Sequence, residues 1–334
     1  MNFLEAGESA RRQGSDLRVD AVLRSANRLP ISVIVLTYNE EANIGPCLDT
    51  IVGWAHEVFV VDSNSTDRTV EIAKQYNAEV FQHPFETYSR KRNWAQLNLP
   101  ITNEWVCHID ADERVSPAMV DELRRCFGDT ALDPQIRGLV VRRLIVFEGR
   151  QIKHGGIYPS YTCRIFKRQF GRCEDREYDQ HFLVDGDTLR LEVDLLEITA
   201  TSLFLWTARH NQWAQLEARQ LLTGSREPHP RAVQPKLLGT PIERRRWLRE
   251  RLYGNLPLFS RAFFYFVSRY LFRGGFLDGT PGLIYHVLHG FWFRFYVDAC
   301  CYELQKREER GYAQGSVTRA AERQKQRHPF MRME

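Results

Sequence analysis

The chain has 334 residues, a formal net charge of +4 and 43% hydrophobic residues. That apolar content is enough to build a core, so a wholly disordered chain is excluded. The mild basic excess permits anionic partners such as phosphates or lipid headgroups without selecting one, and no nucleic-acid partner is expected.

Residues 1–28 are polar and Arg-rich, show no signal-peptide pattern, and read as a flexible lead-in. The seven cysteines are irregularly spaced with no Cys-x-x-Cys pair, which fits reduced thiols better than a disulfide framework or a zinc site. The β-branched run Ile31 to Leu36 predicts a buried first strand. A helix from Pro46 to Trp54 follows, then a strand Glu57 to Val61 that ends at Asp62. Ser65 or Thr66 is suited to cap a helix reaching Tyr76. A short strand Glu79 to Phe81, a helix Ser89 to Leu97 and a strand Trp105 to Ile109 come next, the last ending at Asp110. Ser116 with Pro117 starts a helix to Phe127. Strands alternating with helices imply a parallel sheet, whose ligands bind outside the carboxyl ends of the strands.

From Leu139 the pattern changes. Leu139 to Phe147, Tyr161 to Arg168 and Leu189 to Val193 read as antiparallel additions to the sheet, and Thr207 to Leu222 as a helix. Gly and Pro recur from Gly224 to Pro241, as in a linker. Phe259 to Tyr302 is crowded with aromatic residues but interrupted by arginines, too charged for a spanning helix. Two amphipathic helices broken near Arg273-Gly274-Gly275, next to the basic stretch Glu243 to Arg251, suit an anionic membrane surface or a packed helical subdomain. The domain reading is a lead-in over 1–28, a catalytic domain over 29–225, a linker and amphipathic helical region over 226–305, and a charged tail over 306–334.

Three polar clusters follow predicted strand ends: Thr37 to Glu41, Asp62 to Asp67 and Asp110 to Arg114. Asp110-Ala111-Asp112 turns two carboxylates towards one space. Mg²⁺ or Mn²⁺ held there would bridge them to a nucleoside diphosphate, whose charge the carboxylates alone would repel. An ordinary acidic turn is the plain alternative. Thr37, Asn39 and Glu40 offer hydroxyl, amide and carboxylate groups to a base or ribose, and Asp62 an acceptor for a nucleobase N–H; helix capping and turn chemistry account for the same residue types.

The segments Ile34 to Glu41, Val61 to Thr69 and His108 to Glu113 resemble family 2 glycosyltransferases, most closely the lipopolysaccharide-core and capsule branch. The resemblance runs from about Ile31 to Asp194. It implies a GT-A fold, an α/β Rossmann-like mixed sheet with mostly parallel core strands, here followed by the aromatic-rich C-terminal helices. It further implies a nucleotide-sugar donor, often a uridine diphosphate sugar, a divalent metal, inversion at the anomeric carbon, and a saccharide or lipid-linked acceptor at the cytoplasmic face of the inner membrane, where the protein would be peripheral. By that likeness Asn39 and Glu40 line the donor pocket, beside Thr37 as a further donor-contact candidate, Asp62 recognises the base, and Asp110 and Asp112 serve diphosphate and metal. The tract Arg90-Lys91-Arg92-Asn93 matches a basic stretch of such enzymes, with Arg90 taken as a donor contact.

Inversion needs a general base for the acceptor hydroxyl. Members of the family carry an acidic residue, often followed by a His-Glu pair, where this chain has Cys173 to His181 with Asp179-Gln180 in place of the pair. Asp175 is the first candidate and Glu174 the second, against a loop held simply by local ion pairs. A sugar-phosphate nucleotidyltransferase and a non-catalytic nucleotide-sugar-binding scaffold are the competing functions. The acidic loop after the first strand disfavours the former, and the intact Asp110/Asp112 pair disfavours the latter.

Overall fold

The computed structural model describes residues 28–128, 132–176, 180–199, 202–223, 235–239, 241–248, 251 and 253–309. The expected lead-in before Arg28, most of the linker, Asp179 and the tail beyond 309 lie outside the described residues.

Four parallel strands form one half of the main sheet: β1 (Leu29–Thr37), β2 (Ala55–Asp62), β3 (Glu79–Gln82) and β4 (Trp105–Asp110), in the order β3-β2-β1-β4. β1 is central because both its faces are apolar. Ile31, Val33 and Val35 pack with Ile44, Leu48 and Leu123 on one side, and Ile34 and Leu36 with Phe59, Val61 and Ala95 on the other. Burial on both faces is what a parallel sheet between helix layers requires.

The crossover helices are α1 (Glu41–Asp49), α2 (Thr69–Gln75), α3 (Tyr88–Asn98) and α4 (Pro117–Phe127). Ser116 caps α4 by accepting from the Met119 amide, with Pro117 at the first position, as its sequence predicts. Two starts differ from expectation. α1 begins before Pro46, because the Glu40 carbonyl already accepts from the Ile44 amide at 2.8 Å. α2 begins at Thr69 because the Ser65 hydroxyl and the Thr66 amide are bonded to Asn39 instead.

The other half of the sheet is mixed. β8 (Ser160–Lys167) runs antiparallel to both β4 and β6 (Ile136–Phe147); the two-residue β7 (Arg150–Gln151) pairs with the end of β6. β11 (Asp187–Thr199) lies beyond β6, and β5 (Glu113–Val115) closes the edge antiparallel to it. β11 is parallel to β6, which corrects the expectation of purely antiparallel additions. The reason is the intervening two-stranded sheet of β9 (Gly171–Cys173) and β10 (Phe182–Val184), which returns the chain to the end from which β6 starts. A mixed sheet with a mostly parallel core and appended C-terminal helices is the layout expected of a GT-A fold.

α5 (Leu203–Thr223) packs Ala214 and Ala218 against Phe293 and Val297 of α9 (Phe293–Glu309). Between them come α6 (Pro241–Trp247), α7 (Ser260–Val267) and α8 (Gly279–Tyr285). α7 continues through a wider π turn, Ser268–Phe272, and breaks at Gly274, whose φ of 69° is the left-handed region that glycine enters without strain. α8 runs through a second π turn, His286–Trp292, into α9. No helix among the described residues is long and apolar enough to cross a membrane. All seven cysteines are free and buried.

Candidate active site

The register of the parallel half brings the three polar clusters together. Thr37 pairs with Asp62 across β1 and β2, and Leu36 with Asp110 across β1 and β4. Their following loops therefore leave one sheet edge side by side.

The first two loops bind each other. The Thr37 hydroxyl donates to Asp62 Oδ1 at 2.9 Å, and the Ser65 amide donates to Asp62 Oδ2 at 2.8 Å. Asp62 is fully buried, so the residue expected to read a nucleobase instead has both oxygens engaged in holding this turn. Asn39 has a φ of 52°, a left-handed conformation that asparagine tolerates, and its side-chain oxygen accepts from the Thr66 amide at 2.8 Å. Glu40 accepts from Asn43 at 2.6 Å and from Arg209 of α5 at 3.0 Å.

α3 supplies the cations, though not the one expected. Arg90 is exposed and pairs with Glu86 at 2.7 Å, one turn earlier, whereas Lys91 and Arg92 are buried. Successive helical residues are turned about 100° apart, so only part of a four-residue basic run faces inward. Lys91 Nζ donates to the Thr37 carbonyl at 2.9 Å and to Ser63 Oγ at 2.6 Å. Burial pulls its pKa down to about 8 against the pull of Asp62 and Asp110. The other side of α3 holds the β9 segment. Asn93 bonds the Cys173 carbonyl and amide at 3.0 and 2.9 Å, and Gln96 donates to the Gly171 carbonyl at 2.6 Å.

The two carboxylates of the Asp110-Ala111-Asp112 motif have opposite surroundings. Arg92 Nη2 donates to both Asp110 oxygens at 2.6 and 2.8 Å, and Arg164 of β8 donates to Oδ2 at 2.8 Å. Burial works against ionisation of Asp110, but Arg92 and then Arg164 overcome it and hold its pKa well below the usual carboxylate range. Arg164 also bonds Glu113, which accepts from the Asp110 amide at 2.9 Å and is pushed up to about 7 by burial. Asp112 has no hydrogen bond or ion pair from its carboxylate among the described residues. Burial first, and then the like charges of Glu197, Asp110, Glu113 and Glu40, raise its pKa well above the carboxylate range.

That environment fits a divalent cation. An acidic side chain crowded by acids and lacking a protein cation gains most from one. Among the described residues no three His, Cys, Asp or Glu side chains are arranged as a complete metal cage. Of the two expected ligands, Asp112 is the available one; Asp110 is already neutralised by two guanidiniums.

The base candidates also differ. Glu174 is buried and clamped by Arg246 of α6, with Nη2 to Oε2 at 3.0 Å, and His181 Nδ1 lies 3.6 Å away. Burial opposes ionisation, but the His181 and Arg246 hydrogen bonds prevail and lower its pKa to about 2. A carboxylate held that firmly as an anion is a poor proton acceptor. Asp175 is its exposed neighbour, on a segment tied to α3 by the Ser89 hydroxyl at 3.2 Å from the Arg176 carbonyl. Arg92, Arg209 and Arg246 are site residues that sequence reasoning did not single out. Arg92 stood within the basic tract, and only the helix phase separates it from Arg90.

Residues 32–134 match the family described as Glycosyl transferase family 2. An uncharacterized glycosyltransferase of Rickettsia typhi is 34% identical over 141 residues, which cover 42% of this chain and 47% of that protein. The match thus spans about half the length of that relative. The lipopolysaccharide core biosynthesis glycosyltransferase LpsC of Rhizobium meliloti is 24% identical over 210 residues, covering 60% of this chain and 75% of the relative. Among solved structures, a mannosyltransferase of Pyrobaculum calidifontis in complex with GDP-Man and Mn²⁺ superposes with a TM-score of 0.46 at 17% identity, covering 83% of this chain and 87% of that one. The family match falls on β1 to α4, the segment that carries all three polar loops, and residues 32–134 of this chain are a family 2 glycosyltransferase domain.

Proposed function

We propose that the chain transfers a sugar, with inversion, from a nucleotide-diphosphate sugar to a saccharide or lipid-linked acceptor in lipopolysaccharide or surface-polysaccharide synthesis. The observation that carries this reading is Asp112, a carboxylate just past the end of β4 that is unpaired among the described residues and lies beside the Thr37 and Asp62 loops. The name of the LpsC relative supports the lipopolysaccharide acceptor, and a peripheral place on the cytoplasmic face of the inner membrane accords with it. The donor is a uridine diphosphate sugar in this reading.

A divalent cation bound at Asp112, Mg²⁺ or Mn²⁺, supplies positive charge for the departing diphosphate. The protein's own residues do the rest. Thr37, Asn39 and Glu40 form the rim against which the nucleoside lies, and Asp62 and Lys91 keep that rim in one conformation. Arg92 and Arg164 fix Asp110 and so the turn that presents Asp112. Asp175 takes the proton of the acceptor hydroxyl. The acceptor oxygen then bonds to the anomeric carbon as the bond from that carbon to the diphosphate oxygen breaks, and the nucleoside diphosphate leaves with the electron pair.

Purified protein incubated with Mn²⁺ and a panel of nucleotide sugars tests this. Slow release of nucleoside diphosphate, abolished in Asp112→Ala, is expected. Pyrophosphate release from a nucleoside triphosphate and a sugar phosphate would point to a nucleotidyltransferase, and Mn²⁺-dependent nucleotide binding without turnover on any acceptor would point to a scaffold.

A further inference from the structure

The outer face of the C-terminal hairpin reverses the usual arrangement of a water-facing surface. Residues 259–297 contain five charged side chains: Arg261, Arg269, Arg273, Asp278 and Arg294. Four of them are drawn inward to partners. Arg261 is bonded to Asp298 at 2.7 Å, Arg269 to the Gly155 carbonyl at 2.9 Å, Asp278 to His154 at 2.6 Å and Arg294 to Glu217 at 2.7 Å. Arg273 is the one that is exposed, and no exposed carboxylate accompanies it in this segment.

What faces outward is apolar. Phe272 is 83% exposed at the hairpin tip, with Leu271, Phe276 and Leu277 beside it in sequence, each at least half exposed. Along the continuous rod from α8 into α9, Leu283 and Val287 extend the exposed set at four-residue spacing, one face of a helix. Burying ions while leaving phenylalanines in water costs free energy on both counts, unless the surrounding phase is itself apolar.

We propose that this hairpin inserts its tip, residues 271–277, into the interfacial layer of an anionic lipid bilayer. Charge complementarity selects lipid over a second protein copy. The sole exposed charge at the tip is a cation whose stem can reach from the acyl boundary to the headgroups, and the exposed Arg244 and Arg251 lie just before the hairpin in sequence. Since no described helix is long and apolar enough to cross, the hairpin lies in the interface. It is also joined rigidly to the sheet. His154 and Gly155, on the loop after β7, bond Asp278, Arg269 and the Arg273 backbone. Insertion therefore sets the orientation of the sheet relative to the membrane. This deepens, and rests on, the peripheral placement proposed above, but not on the transfer chemistry.

Flotation of the full chain with phosphatidylglycerol-containing vesicles, and with phosphatidylcholine vesicles as control, tests it. The chain is expected to float with the anionic vesicles, and F272D/F276D to reduce the bound fraction at least about tenfold. Asp112→Asn is expected to float normally while inactive, which separates this inference from the enzymatic one. In F272W, tryptophan emission should move to the blue when anionic vesicles are added, a reading that holds even if the double variant misfolds. Unchanged F272W emission, or flotation of folded F272D/F276D like the parent, overturns the proposal. So does a chain that ignores vesicles and sediments as a dimer broken by F272D/F276D, which would assign the face to a second copy.

Discussion

The sheet edge and the C-terminal hairpin both bury arginines, but they balance them differently. In the hairpin, Arg261 meets Asp298, and Arg269 is satisfied by the Gly155 carbonyl and the Tyr265 hydroxyl. At the sheet edge, Arg92 and Arg164 neutralise Asp110 and Glu113, yet Asp112 in the same turn has no cation partner among the described residues. A buried pair that cancels serves the fold, and its net worth against an apolar replacement is small. A half-buried acid left uncancelled by its own chain, as Asp112 is, destabilises the fold unless something outside the chain completes it. In the proposed function the comparison separates charges that hold the structure from a charge kept for a ligand.

The largest effect that would break this distinction is expected at Arg164. Arg164→Ala strands Asp110 and Glu113 without their shared cation and should cost about 3–5 kcal/mol of unfolding free energy, measured by denaturant titration. Asp112→Asn should do the opposite to stability. It removes an unpaired charge, so the metal-free melting temperature at neutral pH stays level or rises, while donor turnover falls about 10²–10³-fold. A variant that lost both stability and activity would place Asp112 among the structural charges.

Glu174 gives a pH-dependent test of the structural class. Its folded pKa is lowered to about 2, so its contribution to stability is present above the ordinary carboxylate range and is lost as pH falls through about 2. Glu174→Gln should therefore melt well below the parent at pH 6, with the gap closing as pH drops towards 2. Glu113, raised to about 7, has the reverse sign: its contribution is full below the ordinary range and lost as pH rises through about 7. The smallest effect is expected at Arg90. Its exposed pair with Glu86 is worth about 0.3–0.5 kcal/mol, and Arg90→Ala should change donor KM little, whereas Arg92→Ala should change it strongly.

Much of the sheet edge was legible in the sequence because the apolar runs of β1, β2 and β4 end abruptly at polar clusters, and parallel strands carry their carboxyl ends to one side. The Ser116-Pro117 start was legible because capping is local chemistry. What escaped the sequence is non-local. Glu174 is neutralised from 72 residues away by Arg246, and Glu40 from 169 residues away by Arg209, pairings that no spacing announces. The choice of Arg92 over Arg90 depends on where α3 starts, set by Thr87 accepting from the Arg90 amide. The direction of β11 depends on a small separate sheet between two strands whose own residues look alike in either orientation. The expected role of Asp62 shows a different limit. A carboxylate at a strand end suits a ligand and a turn equally well by residue type, and here the turn takes both oxygens.

The most direct test of the uncancelled charge is Mn²⁺ titration followed by electron paramagnetic resonance, in the presence of UDP and with no sugar or acceptor. One bound Mn²⁺ per chain is predicted for the parent and for Arg90→Ala, and none at the same concentrations for Asp112→Asn. Equal Mn²⁺ binding by a folded Asp112→Asn would contradict the account.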